Sequence, residues 1–257
     1  MPLVSCLMVT LPERLDLARR SIGHYLAQTL PDTELVLVAN RGTPEMRAAL
    51  AAHLEALGRA DIRLDFAPDD LKLGALRNRS VALAAGEFVC QWDDDDWHHP
   101  DRLRRQHECL AAGAASACTL QDLMHYFPAR RVLHLVNWHS TPAGGHPGTL
   151  FARRTAMRPY PEAGAAAARG EDLEVALAFR EAGALAFLQG APELYVYATH
   201  GTNTWDGEHH AMLANELAVS RGLLQRRESA LRAGLAPFGF PAGTIELWGS
   251  NGLAFTL

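Results

Sequence analysis

The sequence predicts an α/β fold with a mostly parallel central sheet flanked by helices, and three observations carry that expectation. Predominantly apolar runs recur at residues 4–9, 34–39 and 88–92, as strands covered on both faces require. Segments of helical period alternate with them. Polar residues then follow the runs: Thr10, Asn40, and the quartet Asp93, Asp94, Asp95 and Asp96. A parallel sheet offers ligands the carboxyl ends of its strands, and these residues would emerge there.

Each element has its own warrant. Residues 4–9 form the first strand. Pro12-Glu13 opens a helix to about residue 28, with Leu15, Ala18, Ile22 and Leu26 on one face. Residues 34–39 form the second strand. Thr43-Pro44-Glu45 supplies a capping hydroxyl, a proline at the first helical position and an acid in the first turn. That helix runs to about Leu57, and Gly58 ends it. Residues 62–66 are the third strand, 73–85 a helix closed by Gly86, and 88–92 the fourth strand, which delivers the aspartates. Right-handed crossovers join such units.

The second half is less regular. Residues 118–124 and 132–136 read as a strand pair around Pro128-Ala129-Arg130-Arg131. A Gly/Pro-rich loop over 140–148 and a short strand at 149–151 follow. Residues 159–170 are Ala/Gly-rich and read as a mobile segment. Glu171-Asp172 opens a helix that closes near Gly183. Residues 185–188 and 195–199 are short strands, and a long helix over about 207–233 precedes a Pro/Gly-rich tail.

With 257 residues, 48% hydrophobic and 21% charged, the composition fits one domain with a sizeable core. A net charge of -5 argues against a nucleic-acid partner. The opening Met1-Pro2-Leu3-Val4-Ser5 has no basic region before a long apolar stretch, so no secretion signal is read. No apolar run approaches the ~20 residues that span a bilayer. Cys6, Cys90, Cys109 and Cys118 form no CxxC pair and read as free thiols. A cytoplasmic location, with at most peripheral membrane contact, is the expectation. Arg221, Arg226, Arg227 and Arg232 on the last helix read as a solvated face rather than a membrane surface.

The stretch Gln91-Trp92-Asp93-Asp94-Asp95-Asp96-Trp97 is the most informative. Like charges this close repel unless a cation or protons neutralise them, and clustered carboxylates at a strand end build a site for a hard divalent cation. A solvated acidic loop would normally sit among Gly, Ser or Lys instead of between two tryptophans. His98, His99, His107 and Cys109 match no structural-zinc spacing. Glu171 and Asp172 suit a helix N-terminus through its dipole alone. Trp97 and Trp205 either stack on a sugar face or pack against neighbours.

Three motifs in order are Val4-Ser5-Cys6-Leu7-Met8-Val9-Thr10, Lys72-x-Gly74-x-x-Arg77-Asn78, and Asp93-Asp94-Asp95-Asp96-x-x-x-Pro100-x-x-Leu103. With Gly170-Glu171-Asp172-Leu173 and His200-Gly201-x-Asn203-Thr204-Trp205, the chain over about residues 3–206 resembles glycosyltransferase family 2. The resemblance implies a GT-A-like, Rossmann-like sheet with a smaller mixed sheet on the acceptor side. It divides the domain into a donor part (1–117), an acceptor and base part (118–206) and a C-terminal helix and tail (207–257).

The activity it implies is an inverting, metal-dependent transfer of a sugar from a nucleotide diphosphate to an acceptor hydroxyl, in polysaccharide or glycoconjugate synthesis. A UDP-sugar donor, a saccharide or lipid-linked acceptor and Mn2+ or Mg2+ are its implied partners, and a homodimer is left open. The family's DxD motif falls on Asp93, Asp94 and Asp95. Asp95 is then the direct metal ligand, Asp93 faces the ribose or the metal, Asp94 lies with the donor-binding group, and His200 completes the metal or diphosphate site. Asp96 is either a further ligand or the cap of the helix near Pro100. Lys72 and Arg77 receive the diphosphate or the ribose. Asp172 is the acceptor-activating base, and Glu171 bonds the acceptor or orients the loop.

Two departures stand out. Asn40 occupies the position of the family's base-recognising aspartate, and its amide offers both donor and acceptor. Thr10, Pro12 and Glu13 form the nucleotide-facing turn without the usual aromatic. A nucleotidyltransferase is the first rival, but residues 10–20 lack the glycines of its phosphate loop. A non-catalytic nucleotide- or sugar-binding protein is the second.

Overall fold

The computed structural model describes residues 2–201 and 203–257; Met1 and Thr202 of the His200 loop lie outside them. The first half alternates as its patterning requires: β1 (Val4–Thr10), α1 (Leu15–Leu26), β2 (Thr33–Ala39), α2 (Pro44–Leu57), β3 (Ile62–Phe66), α3 (Leu73–Leu83) and β4 (Phe88–Gln91). The α2 boundaries follow the cap chemistry. Thr43 Oγ1 accepts from the Met46 amide at 3.3 Å, and Gly58 closes the helix at φ 60°. A 3-10 turn (Pro12–Arg14) precedes α1, which buries Ala18, Ser21, Ile22 and Tyr25. Leu26, expected on that face, is 40% exposed: Ala18 and Ile22 are buried as expected, but Tyr25 takes the next position of the face and Leu26 ends the helix.

The remaining elements are β5 (Trp97–His98), α4 (Arg102–Ala111), β6 (Ala117–Leu120), β7 (Asp122–Phe127), β8 (Val132–Asn137), β9 (Phe151–Arg153), α5 (Glu171–Glu181), β10 (Leu185–Leu188) and β11 (Tyr195–Ala198), then α6 (Gly207–Leu217), α7 (Arg221–Arg226), α8 (Glu228–Leu235), β12 (Glu246–Gly249) and β13 (Gly252–Thr256). A seven-stranded sheet runs β10-β6-β9-β4-β1-β2-β3, parallel except for β9. A six-stranded mixed sheet runs β13-β12-β8-β7-β11-β5. The expected fold class therefore holds: a mostly parallel central sheet between helices, with a smaller mixed sheet beside it.

Three expectations fail. Residues 118–124 are two strands in different sheets, β6 and β7, because the chain crosses at Gln121, whose amide bonds Leu188. Residues 207–233 are three helices. Val219 bonds the Leu135 carbonyl at 3.0 Å, and Ser220 caps a new start with Leu223. Pairing with the sheet edge there outweighs helical continuity. Residues 159–170 are tied down: Asn78 bonds both the Tyr160 amide and carbonyl, at 2.8 and 2.9 Å.

One core packs β1, β2 and β4 against α1, α2 and α4 around Met8, Ile22, Leu37, Leu50, Trp92 and Leu103. Cys6, Cys90 and Cys118 are buried free thiols. Trp97 settles as packing, stacked on Phe240 with centroids 4.8 Å apart. Arg232 pairs with Glu228 on the exposed face of α8, and no described helix is long and apolar enough to cross a membrane.

Candidate active site

The carboxyl ends of β1, β2 and β4 open onto a cleft of about 710 Å³, closed on the other side by the start of α5, the 138–148 loop and the loop after β11. Its lining includes Thr10, Asn40, Lys72, Arg77, all four aspartates of the quartet, Glu171 and Asp172. His200, paired with Asp95, stands at its edge. Three expected residues are absent from the lining itself: His200 at its edge, Pro12 and Glu13. Pro12 is buried against Gly42, and Glu13 is exposed, because the 3-10 turn directs Arg14 into the cleft in their place.

The four aspartates face four environments. Asp93 Oδ1 pairs with Arg77 Nη2 at 3.0 Å, and its Oδ2 accepts from Gln91 at 3.0 Å. Asp94 accepts from Thr10 Oγ1 at 2.6 Å and pairs with Arg14 Nη1 at 3.2 Å. Asp95 Oδ2 accepts from Arg14 Nη2 and from His200 Nε2, the latter at 3.0 Å. Asp96 is buried on Tyr195 Oη–H and the Ala198 amide, so it ties the quartet to β11 and caps no helix. The bend between β4 and β5 points successive carboxylates to different partners, which reduces their repulsion.

Their proton affinities follow. Burial and the neighbouring Asp95 push Asp94 up to about 7, against the pull of Arg14 and Thr10. Burial also opposes ionisation of Asp95, but His200 and Arg14 outweigh it and hold it at about 2. Asp96 is raised well above the usual range by burial, then by Asp95 and Asp93.

Arg77 was expected to meet the donor directly. The structure instead leaves it 8% exposed, pairing with Asp93 and donating Nε–H to Glu171 Oε1 at 2.6 Å. A buried carboxylate, Glu171, and a half-buried one, Asp93, need a guanidinium more than a solvated ligand does. Glu171 is thus an ion-pair partner at 2% exposure. Asp172 is half-buried and lines the cleft. Burial, then Glu171, raises it to about 6, with Arg77 pulling the other way. Lys72 is exposed at the N-cap of α3 with no side-chain cap bond. Gly74 is required there: a Cβ would stand 1.9 Å from the Pro161 carbonyl oxygen, and its amide bonds Ala167 at 3.0 Å. The glycine thereby lets α3 abut the loop that leads to Asp172.

Asn40 is 1% exposed. Its Nδ2 donates to the Leu71 carbonyl at 3.4 Å, and its Oδ1 has no partner. Trp205, 39% exposed, stacks on His209 with Arg169 4.7 Å above the ring. His146, held at about 3 by burial, and Tyr197 complete the far wall.

Carboxylate and imidazole donors suit Mg2+ or Mn2+, and Asp95 and His200 converge on one point. Arg14 occupies that point. Among the described residues no three His, Cys, Asp or Glu side chains gather closely enough to hold a metal ion. Asp95 and His200 thus offer a hard cation two protein donors, with Arg14 set against both, and the remaining positions would fall to a diphosphate and water. Sequence reasoning passed over Arg14, along with Arg20, whose Nη2 donates to the Asp95 carbonyl at 2.6 Å. A basic residue directly after the first strand was the available signal.

The model of the family described as "Glycosyl transferase family 2" matches residues 5–155. The Escherichia coli protein named for colanic acid biosynthesis, the glycosyl transferase WcaA, is 35% identical over 104 residues, 40% of this chain. The match spans 36% of that relative's length. Among solved structures, Staphylococcus aureus TarS (residues 1–349) superposes with a TM-score of 0.60 at 15% identity, over 90% of this chain and 73% of that one. TarS bound to UDP gives 0.60 at 13% identity, covering 93% and 75%. TarS bound to UDP-GlcNAc gives 0.58 at 15%, covering 90% and 66%.

Proposed function

The chain belongs to glycosyl transferase family 2, and from that premise we propose that it transfers a sugar from a nucleotide diphosphate to an acceptor hydroxyl with inversion, in polysaccharide or glycoconjugate synthesis. One observation carries the reading. Asp172, with its proton affinity raised to about 6, lines the same cleft as the acidic quartet at the strand ends. A carboxylate of that basicity, across from an anion-receiving corner, suits proton removal near neutral pH.

The donor lies along the strand ends. Asn40 presents its unpartnered Oδ1 to the base. With Nδ2 already used on Leu71, it favours a base with an N–H at its pairing edge, such as uracil. Lys72 and the start of α3 receive negative charge. The acceptor enters past Trp205, His146 and Tyr197. Asp172 takes the proton from the acceptor hydroxyl as its oxygen forms the bond to the anomeric carbon. The bond to the diphosphate oxygen breaks on the opposite side, and the nucleoside diphosphate leaves. Arg77, fixed between Asp93 and Glu171, holds the donor corner and the base helix in register. Asp95 and His200 are the residues that would hold Mn2+ or Mg2+, which when bound would stabilise charge on the departing diphosphate; Asp93, the third ligand the sequence suggested, is committed to Arg77 and Gln91.

The test is Asp172→Asn assayed for transfer and, by calorimetry, for nucleotide binding. Lost transfer with nucleotide affinity retained supports the reading. Transfer undiminished in the variant removes Asp172 as the base and with it the main support for this mechanism.

A further inference from the structure

The acidic corner already contains a cation, and that cation belongs to the chain. The Arg14 guanidinium lies between Asp94, at 3.2 Å, and Asp95, and its Nη2 stands 3.4 Å from His200 Nε2. It therefore fills the point on which Asp95 and His200 converge, 3.0 Å from each other. Among the described residues Arg14 Nε is buried without a hydrogen-bond partner, so the guanidinium is incompletely satisfied by them where it rests. Arg14 also ends a three-residue 3-10 turn and lines the cleft, so its head group has open space to turn into. Arg20 Nε is likewise buried without a partner among the described residues, but Arg20 is fixed on the Asp95 carbonyl and over the Trp97 ring at 5.1 Å and does not line the cleft.

A guanidinium and a divalent cation cannot share one point, because their charges repel at contact distance in a partly dry site. A guanidinium expelled into the cleft needs a new anion, and a diphosphate matches its planar fork with two parallel N–H bonds.

We propose that Arg14 is a displaceable internal counter-ion that couples cation loading to donor loading: it blocks the Asp95–His200 point until a diphosphate draws it away. This rests on the reading of the cleft as a nucleotide-diphosphate site. Coupling of this kind is reciprocal, so nucleotide raises cation affinity by the factor by which cation raises nucleotide affinity.

The experiment titrates Mn2+ into the full chain with and without UDP or GDP, following free Mn2+ by electron paramagnetic resonance, for wild type, Arg14→Gln and Arg14→Lys. In wild type, nucleotide is expected to tighten Mn2+ binding by about tenfold or more. Arg14→Gln is expected to bind Mn2+ about tenfold more tightly without nucleotide and to lose most of the enhancement. Arg14→Lys keeps the charge and is expected to bind nucleotide-free Mn2+ as weakly as wild type. Equal nucleotide-free affinity in wild type and Arg14→Gln overturns the proposal. So does an Arg14→Lys variant that binds Mn2+ as tightly as Arg14→Gln, since loosening rather than charge would then explain the gain. If neither nucleotide binds wild type with or without Mn2+, the donor reading itself falls, a result distinct from an unaltered coupling.

Discussion

Arg77 donates its Nε–H to Glu171 at 2.6 Å while its Nη2 holds Asp93 at 3.0 Å. One guanidinium on α3 thus joins the end of β4, where the donor corner begins, to the start of α5, where the candidate base stands. These partners are 16 and 94 residues away in sequence. The proposed reaction needs both sides of the cleft at a fixed separation, and this ion pair supplies it.

Removing that link should be costly. Arg77→Met leaves buried Glu171 and half-buried Asp93 without their cation, and the expected loss is about 3 kcal/mol of folding stability. Urea denaturation checks it. A midpoint unchanged from wild type would mean that the pair contributes nothing to holding the halves together.

The pH dependence of transfer should report Asp172. The base must be ionised to take a proton, and burial raises it to about 6. kcat/KM is then expected to fall about tenfold per pH unit below that value and to be flat just above it. An acid limb near pH 4 would assign the titration to an ordinary carboxylate instead. Asp172→Asn is expected to lower transfer by about 10²–10⁴-fold.

Asp94 should make stability pH-dependent in the opposite sense from most acids. Its folded affinity of about 7 lies above the ordinary 3.8, so the native state binds more protons than the unfolded chain between those values. Its contribution to stability is full below pH 3.8 and is lost as pH rises through 7. Asp94→Asn, which keeps an acceptor for Thr10, should therefore raise Tm relative to wild type by more at pH 8 than at pH 5. Thermal melts of both proteins at the two pH values decide it, and an equal difference at both would show Asp94 ionising normally.

Gly74→Ala should fail sterically. A Cβ 1.9 Å from the Pro161 carbonyl oxygen has only backbone to displace. A loss of about 1–3 kcal/mol is expected, with weaker nucleotide binding, because α3 and the loop leading to Asp172 must separate. Thermal denaturation together with nucleotide titration tests both parts.

Residues 4–9, 34–39 and 88–92 were legible as strands because predominantly apolar runs are local signals. The Thr43-Pro44-Glu45 start and Gly58 end of α2 were legible because caps are local chemistry. The crossing of β6 into β7 at Gln121 and the break of the last helix near Val219 were not. Both are set by sheet edges contributed from elsewhere, Leu188 in one case and Leu135 in the other. Arg77 was identified as a site residue, but its role changed once its partners were in view. Arg14 offered one local signal, a basic residue soon after the first strand, but its partner Asp95 is 81 residues away and nothing local pairs the two.

The sequence by itself determined the parallel strands, their polar ends, the four consecutive carboxylates and the acid pair that opens α5. These follow from periodicity, capping and composition, which act over a few residues. Tertiary structure alone decided which cation faces which carboxylate: Arg14 on Asp94 and Asp95, Arg77 on Asp93 and Glu171, and, among the described residues, no ion pair on Asp172. The physical reason is that charge interactions depend on distance and burial in space. Neither is fixed until distant strand ends and loops have been packed around the same cleft.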